Sequence, residues 1–225
     1  MTTTSPDSPQ ADAGPASALL IDFGGVLTAP ISAAFGALGA DAGLAPDEAL
    51  RVLATHGGAR AALSEHETGR LDDEGFEDAF AAALVEAGGI VEPRGLLAAP
   101  ATHMDLDEPM IELVRQARAA GVPVALVSNS LGRDCYARVD LDELFDVTVI
   151  SAQVGVRKPS REIYRIACER LGVDPTECVL VDDLEHNLVG AARLGIGGVL
   201  HRTADETVPR IREVLSLPAP TPTAR

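Results

Sequence analysis

Four short stretches of the sequence carry side chains able to do chemistry at a phosphorus or carbon centre. The first closes the apolar run ALLI with Asp22, Phe23, Gly24 and Gly25. A carboxylate at the end of a buried strand can act as a covalent nucleophile. Glycines beside it let backbone groups approach a phosphoryl group or a cation closely. An Asp before a glycine-rich turn is also ordinary turn chemistry. The second stretch ends VALVSNS with Ser128, Asn129 and Ser130. A hydroxyl and an amide at a strand-to-helix turn can donate hydrogen bonds to phosphate oxygens, although the same residue types cap helices.

The third stretch, GVRKPSREIY, contains Lys158, the single lysine among 18 basic residues. Every other basic position is Arg, including the neighbouring Arg157 and Arg161. A compact ammonium contacts several oxygens as a point charge, where a planar guanidinium imposes a fork. The fourth stretch, VLVDDLEHN, closes on Asp182 and Asp183. Adjacent carboxylates at a buried strand end repel unless a cation or a lysine neutralises them. An all-oxygen donor set suits Mg²⁺, which takes one or two carboxylates, substrate phosphate and waters. The plainer reading is an acidic helix start.

These residues need a scaffold that gathers them. Strand-like apolar runs occur at 18–25, 122–129, 146–153, 178–183 and 197–201, and segments 108–120, 160–171 and 187–194 have helical periodicity. Long crossovers between short buried strands predict a doubly wound parallel sheet of the α/β class. In such sheets, groups past the carboxyl ends of the strands meet in one crevice. Residues 30–98 are Ala-rich with apolar residues at helical spacing and no strand pattern, which predicts a small helical cap inserted after the first strand. The expected organisation is therefore an arm over 1–16, an α/β core over 17–29 and 99–216, the helical cap over 30–98, and a tail over 217–225. Both ends are rich in Pro, Thr and Ala and lack apolar area to offset ordering.

Composition narrows the function classes. The net charge of −16 opposes general binding to nucleic acid or to an anionic membrane. No apolar stretch approaches the ~18 residues of a membrane span. The start lacks the basic and apolar regions of a secretory signal. Three cysteines without metal-ligand spacing read as reduced thiols. A soluble cytoplasmic protein is the expectation, and a phosphorylated ligand fits such a charge only as a small molecule held in a local basic pocket.

The order Asp, Ser-Asn, Lys, Asp-Asp, each element after a different strand, resembles the haloacid dehalogenase-like (HAD) hydrolase superfamily from about residue 18 to 215. The helical insert, with ETGRLDDEGFEDAF, resembles the small cap of one large branch of phosphatases, dehalogenases and phosphonate-cleaving enzymes. The resemblance implies a Rossmann-like core and an aspartyl-phosphate mechanism on Asp22. It implies that Gly25, Ser128, Asn129 and Lys158 bind the phosphoryl group, with Lys158 also holding the nucleophile and pairing with Asp182. Mg²⁺ is implied at Asp22, the Gly24 carbonyl, Asp183 and Asp182, the last close by or through water. Asn187 is implied to steady that loop.

One position departs from the resemblance. Two residues beyond the nucleophile, phosphatases of this kind carry a second Asp as general acid and base, and this chain has Gly24. General acid–base help is worth about 10²–10⁴ in rate. Three explanations follow: a leaving group needing little protonation, a proton supplied by water or by His56, Glu65, His66 or His103, or a catalytically silent metabolite-binding relative. A phosphonate- or halide-cleaving relative is a further alternative, and the Asp182–Asp183 pair favours phosphorus chemistry over carbon–halogen cleavage.

Overall fold

The computed structural model describes residues 14–98 and 104–218, with only the backbone of Arg133 and Asp134. Most of the expected arm and tail, the expected boundary at 98/99 and His103 lie outside the described residues. Ala16 and Leu217 already pack against the core, and the Ala16 amide donates to the Val214 carbonyl at 3.0 Å.

Five strands form one wholly parallel sheet: β1 (Ala18–Ile21), β2 (Val124–Ser128), β3 (Val147–Ile150), β4 (Cys178–Asp182) and β5 (Gly197–Leu200). Their order is β3-β2-β1-β4-β5. The central strands β1, β2 and β4 are buried along their whole length, because helices cover both faces and neither face has to be polar. Side chains alternate between those faces. Leu19, Ile21, Val124, Leu126, Val179 and Val181 pack with Met110, Val114 and Ile211 from α5 (Glu108–Ala119) and α8 (Ala204–Val214). Ala18, Leu20, Ala125, Val127 and Leu180 face Ile163, Tyr164, Ala167 and Cys168 of α6 (Arg161–Leu171) and Ala191 of α7 (Glu185–Ala192). The result is the predicted three-layer, Rossmann-like α/β architecture.

Among the described residues, the helices α1 (Ile31–Asp41), α2 (Glu48–Thr55), α3 (Gly57–Glu67) and α4 (Asp73–Glu86) lie in the segment between β1 and α5. They pack around a hydrophobic cluster of their own that includes Phe35, Val52, Leu53, Phe76, Phe80 and Leu84. Phe76 and Phe80 stack with ring centroids 5.7 Å apart, and Phe35 meets Phe80 edge-on at 6.1 Å. The Asp72 carboxylate accepts from the Gly75 amide at 2.9 Å and caps the start of α4, whose first turn carries the acidic Asp73 and Glu74. In the core, Asp107 caps α5 in the same way, with Pro109 in its first turn. No described helix is long and apolar enough to cross a membrane.

The strand order reverses beside β1. The chain runs outward through β2 and β3, then returns to lay β4 against the other side of β1. The crevice expected at such a switch point opens at the carboxyl ends of β1 and β4. Asp22 follows β1, and Asp182 is the last residue of β4. Lys158 arrives on the loop between β3 and α6, and α7 supports that loop. At Gly190 of α7 a Cβ would lie 2.5 Å from the Pro159 carbonyl oxygen and 2.9 Å from its Cβ. Gly190→Ala should therefore push the Lys158 loop outward and cost about 1–3 kcal/mol as overpacking, measurable as a lower urea midpoint at unchanged m-value.

Candidate active site

At the centre of the crevice the Lys158 ammonium, 1% exposed, bridges two carboxylates: Asp22 Oδ1 at 2.7 Å and Asp182 Oδ2 at 2.8 Å. Further donors hold each carboxylate in place. Asp22 Oδ1 accepts from the Phe23 amide at 2.7 Å. Asp182 Oδ1 accepts from the Leu184 amide and from Asn187 Nδ2, both at 2.9 Å. Asn187 thus steadies the loop through Asp182. Carboxylate oxygens of Asp22, Asp182 and Asp183 all lie within 4.8 Å of one another. Gly25, at φ +78°, makes room for the third: a Cβ there would sit 2.6 Å from Asp183 Oδ2. Its amide is engaged with Thr28 Oγ1 at 3.2 Å.

The electrostatics follow from burial. Removal from water lifts the Asp22 carboxyl to about 7, with Lys158 opposing the rise and Asp182 and Asp183 adding to it. Asp183 is raised by burial and by Asp182. Burial disfavours the Lys158 ammonium, yet Asp22 and Asp182 together hold it above the ordinary lysine value. Three carboxylates and one ammonium leave this pocket short of positive charge. Asp22 Oδ2 and the Asp183 carboxylate carry none of the hydrogen bonds described above. The donor set is all oxygen, and it fits a hard divalent cation such as Mg²⁺. Asp22 and Asp183 are the better-placed ligands, since Asp182 is already committed to Lys158, Leu184 and Asn187.

Ser128 and Asn129 reach the same crevice in different ways. The Tyr136 hydroxyl donates to Ser128 Oγ at 2.8 Å, and Ser128 Oγ in turn donates to the Asn129 carbonyl at 3.3 Å. Both ends of the Asn129 amide are engaged by the Lys158 backbone. Its Oδ1 accepts from the Lys158 amide at 2.8 Å, and its Nδ2 donates to the Lys158 carbonyl at 3.3 Å. At Gly24 a Cβ would lie 2.7 Å from Ile31 Cδ1 and 3.7 Å from Met104 Cε, so apolar side chains close in on that position. Phe23 and Tyr136, ring to ring at 4.8 Å, continue the apolar wall.

Of the side chains first weighed as proton donors, the three among the described residues are engaged elsewhere. His56 caps α3 and pairs with Glu86, Glu65 pairs with Arg70, and His66 is buried on Asp73 and stacked on Phe76. Sequence reasoning passed over Tyr136 and the ion pair of Glu67 with Arg157. Only the E-T-G step into a tight corner hinted at Glu67.

A protein-family model described as haloacid dehalogenase-like hydrolase matches residues 16–195. The chain belongs to this family. Solved HAD structures share its fold. One is a predicted HAD-like family hydrolase of Porphyromonas gingivalis, with TM-score 0.68 over 89% of this chain and 98% of that one at 20% identity. Another is a HAD family enzyme of Bacteroides thetaiotaomicron in complex with magnesium and inorganic phosphate, with TM-score 0.62 over 83% and 94% at 23% identity. Among curated HAD relatives, the phosphoserine phosphatase of Thermus thermophilus is 32% identical over 125 residues, 52% of this chain and 50% of that protein. A sesquiterpene phosphatase of Aspergillus oryzae is 31% identical over 100 residues, 43% of this chain and 50% of that protein. The chain spans between 10% and 50% of the length of the curated relatives it matches.

Lys158→Met tests the charge balance of the site. Without the ammonium, the pull that lowers the Asp22 pKa is gone, so its folded-state value rises further above the unfolded one. A raised carboxyl pKa subtracts stability as pH climbs towards it. The loss should approach about 3–5 kcal/mol at pH 8 and be clearly smaller at pH 5, read from urea unfolding at both pH values.

Proposed function

We propose that the chain is a Mg²⁺-dependent phosphatase of small phosphorylated metabolites that works through an aspartyl phosphate on Asp22. One observation carries the reading. A buried lysine fixes a carboxylate at the end of β1, beside two further carboxylates at the end of β4. Lys158 holds Asp22 Oδ1, which leaves Oδ2 as the attacking oxygen. Its ammonium and the Ser128 hydroxyl, turning from its long contact with the Asn129 carbonyl, would bind the oxygens of the incoming phosphoryl group. Mg²⁺ held by Asp22 and Asp183, with the Gly24 carbonyl and Asp182 close by, would supply the positive charge that the pocket lacks. The Asn129 side chain serves as a positioning group for Lys158, a narrower role than direct phosphate binding.

The helical unit of α1–α4 is proposed as the cap that closes over this crevice and selects the substrate. The matches to a phosphoserine phosphatase and a sesquiterpene phosphatase are compatible with phosphate-ester chemistry. A net charge of −16 speaks against a nucleic-acid substrate.

Gly24 favours one second reading, a catalytically silent metabolite-binding module. Ile31 and Met104 occupy the neighbourhood where an acid side chain would stand, so that position cannot supply a proton. A phosphate-release screen over sugar phosphates, acyl phosphates, nucleotides and phosphonates separates the two. The phosphatase reading expects release that needs Mg²⁺ and stops with a chelator. Asp22→Asn should lower it by about 10³-fold or more. Binding of phosphate esters without any product would establish the silent module instead.

A further inference from the structure

Glu67 ends α3, the helix that brings the insert down onto the core. The junction around it is built in detail. The Glu67 backbone carbonyl accepts from Ser151 Oγ, and that oxygen in turn accepts from the Ser130 amide at 2.8 Å. Gly69, at φ +71°, lets the following corner press against the Ala152 carbonyl, where a Cβ would overlap it. The Glu67 side chain is 14% exposed, and its Oε2 pairs with Arg157, the residue before Lys158. Its charge also reaches the Lys158 ammonium and the Tyr136 hydroxyl, two groups that flank Asp22 and Ser128. Ser151 follows β3 and Ser130 follows Ser128 and Asn129, so this junction places the Glu67 carboxyl group beside the loops that form the crevice, whose own position 24 is a glycine.

We propose that Glu67 is the proton-transfer group of the reaction, doing from the helical insert what Gly24 cannot do beside Asp22. This assignment rests on Asp22 as the nucleophile. As Asp22 Oδ2 forms its bond to phosphorus, the bond to the leaving oxygen breaks. That oxygen keeps the electron pair and takes the Glu67 proton. Water then attacks phosphorus and passes one proton to the Glu67 carboxylate, the bond to Asp22 breaks, and inorganic phosphate departs. Ester and water yield alcohol and phosphate, and both carboxyl groups return to their starting states.

Arg157 holds Oε2 and leaves Oε1 for the proton. Burial lifts the Glu67 carboxyl to about 7, with Arg157 first and Lys158 second opposing the rise, so both protonation states are accessible near neutral pH. The nearest alternative acids on the same helix turn are spent: Glu65 on Arg70 and His66 on Asp73.

The test compares kcat/KM for an aryl ester, p-nitrophenyl phosphate, with that for an alkyl ester, glycerol phosphate, in the full chain with Mg²⁺. An alkoxide needs protonation and a nitrophenolate does not. Glu67→Gln should lower the alkyl value by about 10²–10⁴-fold and the aryl value by less than about 3-fold. Arg157→Gln breaks the same ion pair but keeps the carboxyl, and it should leave the ratio of the two esters near wild type. Equal losses for both esters in Glu67→Gln, no loss at all, or the same skewed ratio in Arg157→Gln would each overturn the assignment and leave Glu67 as a latch. Undiminished turnover in Asp22→Asn, or no turnover of any ester by the wild type, would remove the phosphatase reading itself and this assignment with it.

Discussion

Lys158 is the constraint on which the rest of the site depends. A buried ammonium costs several kcal/mol to desolvate, and it is retained only where paired charges and hydrogen bonds compensate. Here Asp22 and Asp182 compensate it from two neighbouring strands, so one cation ties the ends of β1 and β4 together. Most nearby polar contacts serve this arrangement. Asn129 grips the Lys158 backbone, Asn187 and the Leu184 amide grip Asp182, and Gly190 lets the Lys158 loop lie flat on α7. With Asp183 counted, three carboxylates face one ammonium and the site is two positive charges short of balance. That deficit, rather than any one ligand, is the physical argument for a divalent cation.

Much of the core could be read from the chain. Runs such as ALLI and CVLVD have no polar alternation, so they had to be buried on both faces, and the parallel sheet followed. The chemistry-bearing residues were legible because each stands at the end of such a run, where a parallel sheet gathers them. Lys158 was conspicuous by composition, as the single lysine in an arginine-rich chain.

The residues that complete the site were not legible, for a geometric reason. Glu65, His66 and Glu67 lie about 100° apart around the end of α3, and each is a plausible proton donor by type. Which one faces the core depends on how the insert docks, and that is decided by Ser151, Ala152 and Arg157 some 84–90 residues away in the chain. Tyr136 falls in a short 3₁₀ turn with no periodic pattern to place its hydroxyl on Ser128. The closing-in of Ile31 and Met104 at Gly24 is likewise a tertiary event, joining the first turn of α1 to the segment that leads into α5.

The two departures from an ordinary motif, a glycine at 24 and a carboxyl at 67, belong to one design problem. An acid beside the nucleophile on β1 is present whether or not the insert is seated, so it can serve any ester that diffuses in. In the proposed mechanism, an acid carried by α3 would be present only when the junction at Ser151 and Arg157 is made. If the insert acts as the proposed cap, seating it would exclude water and supply the proton in the same movement. The apolar wall of Phe23, Ile31, Met104 and Tyr136 acts in the same direction, since a drier pocket raises a carboxyl pKa and strengthens the attraction between Lys158 and a phosphoryl group. On this view the glycine is not simply a loss, because it moves proton transfer from the rigid sheet to the element that also has to recognise the substrate.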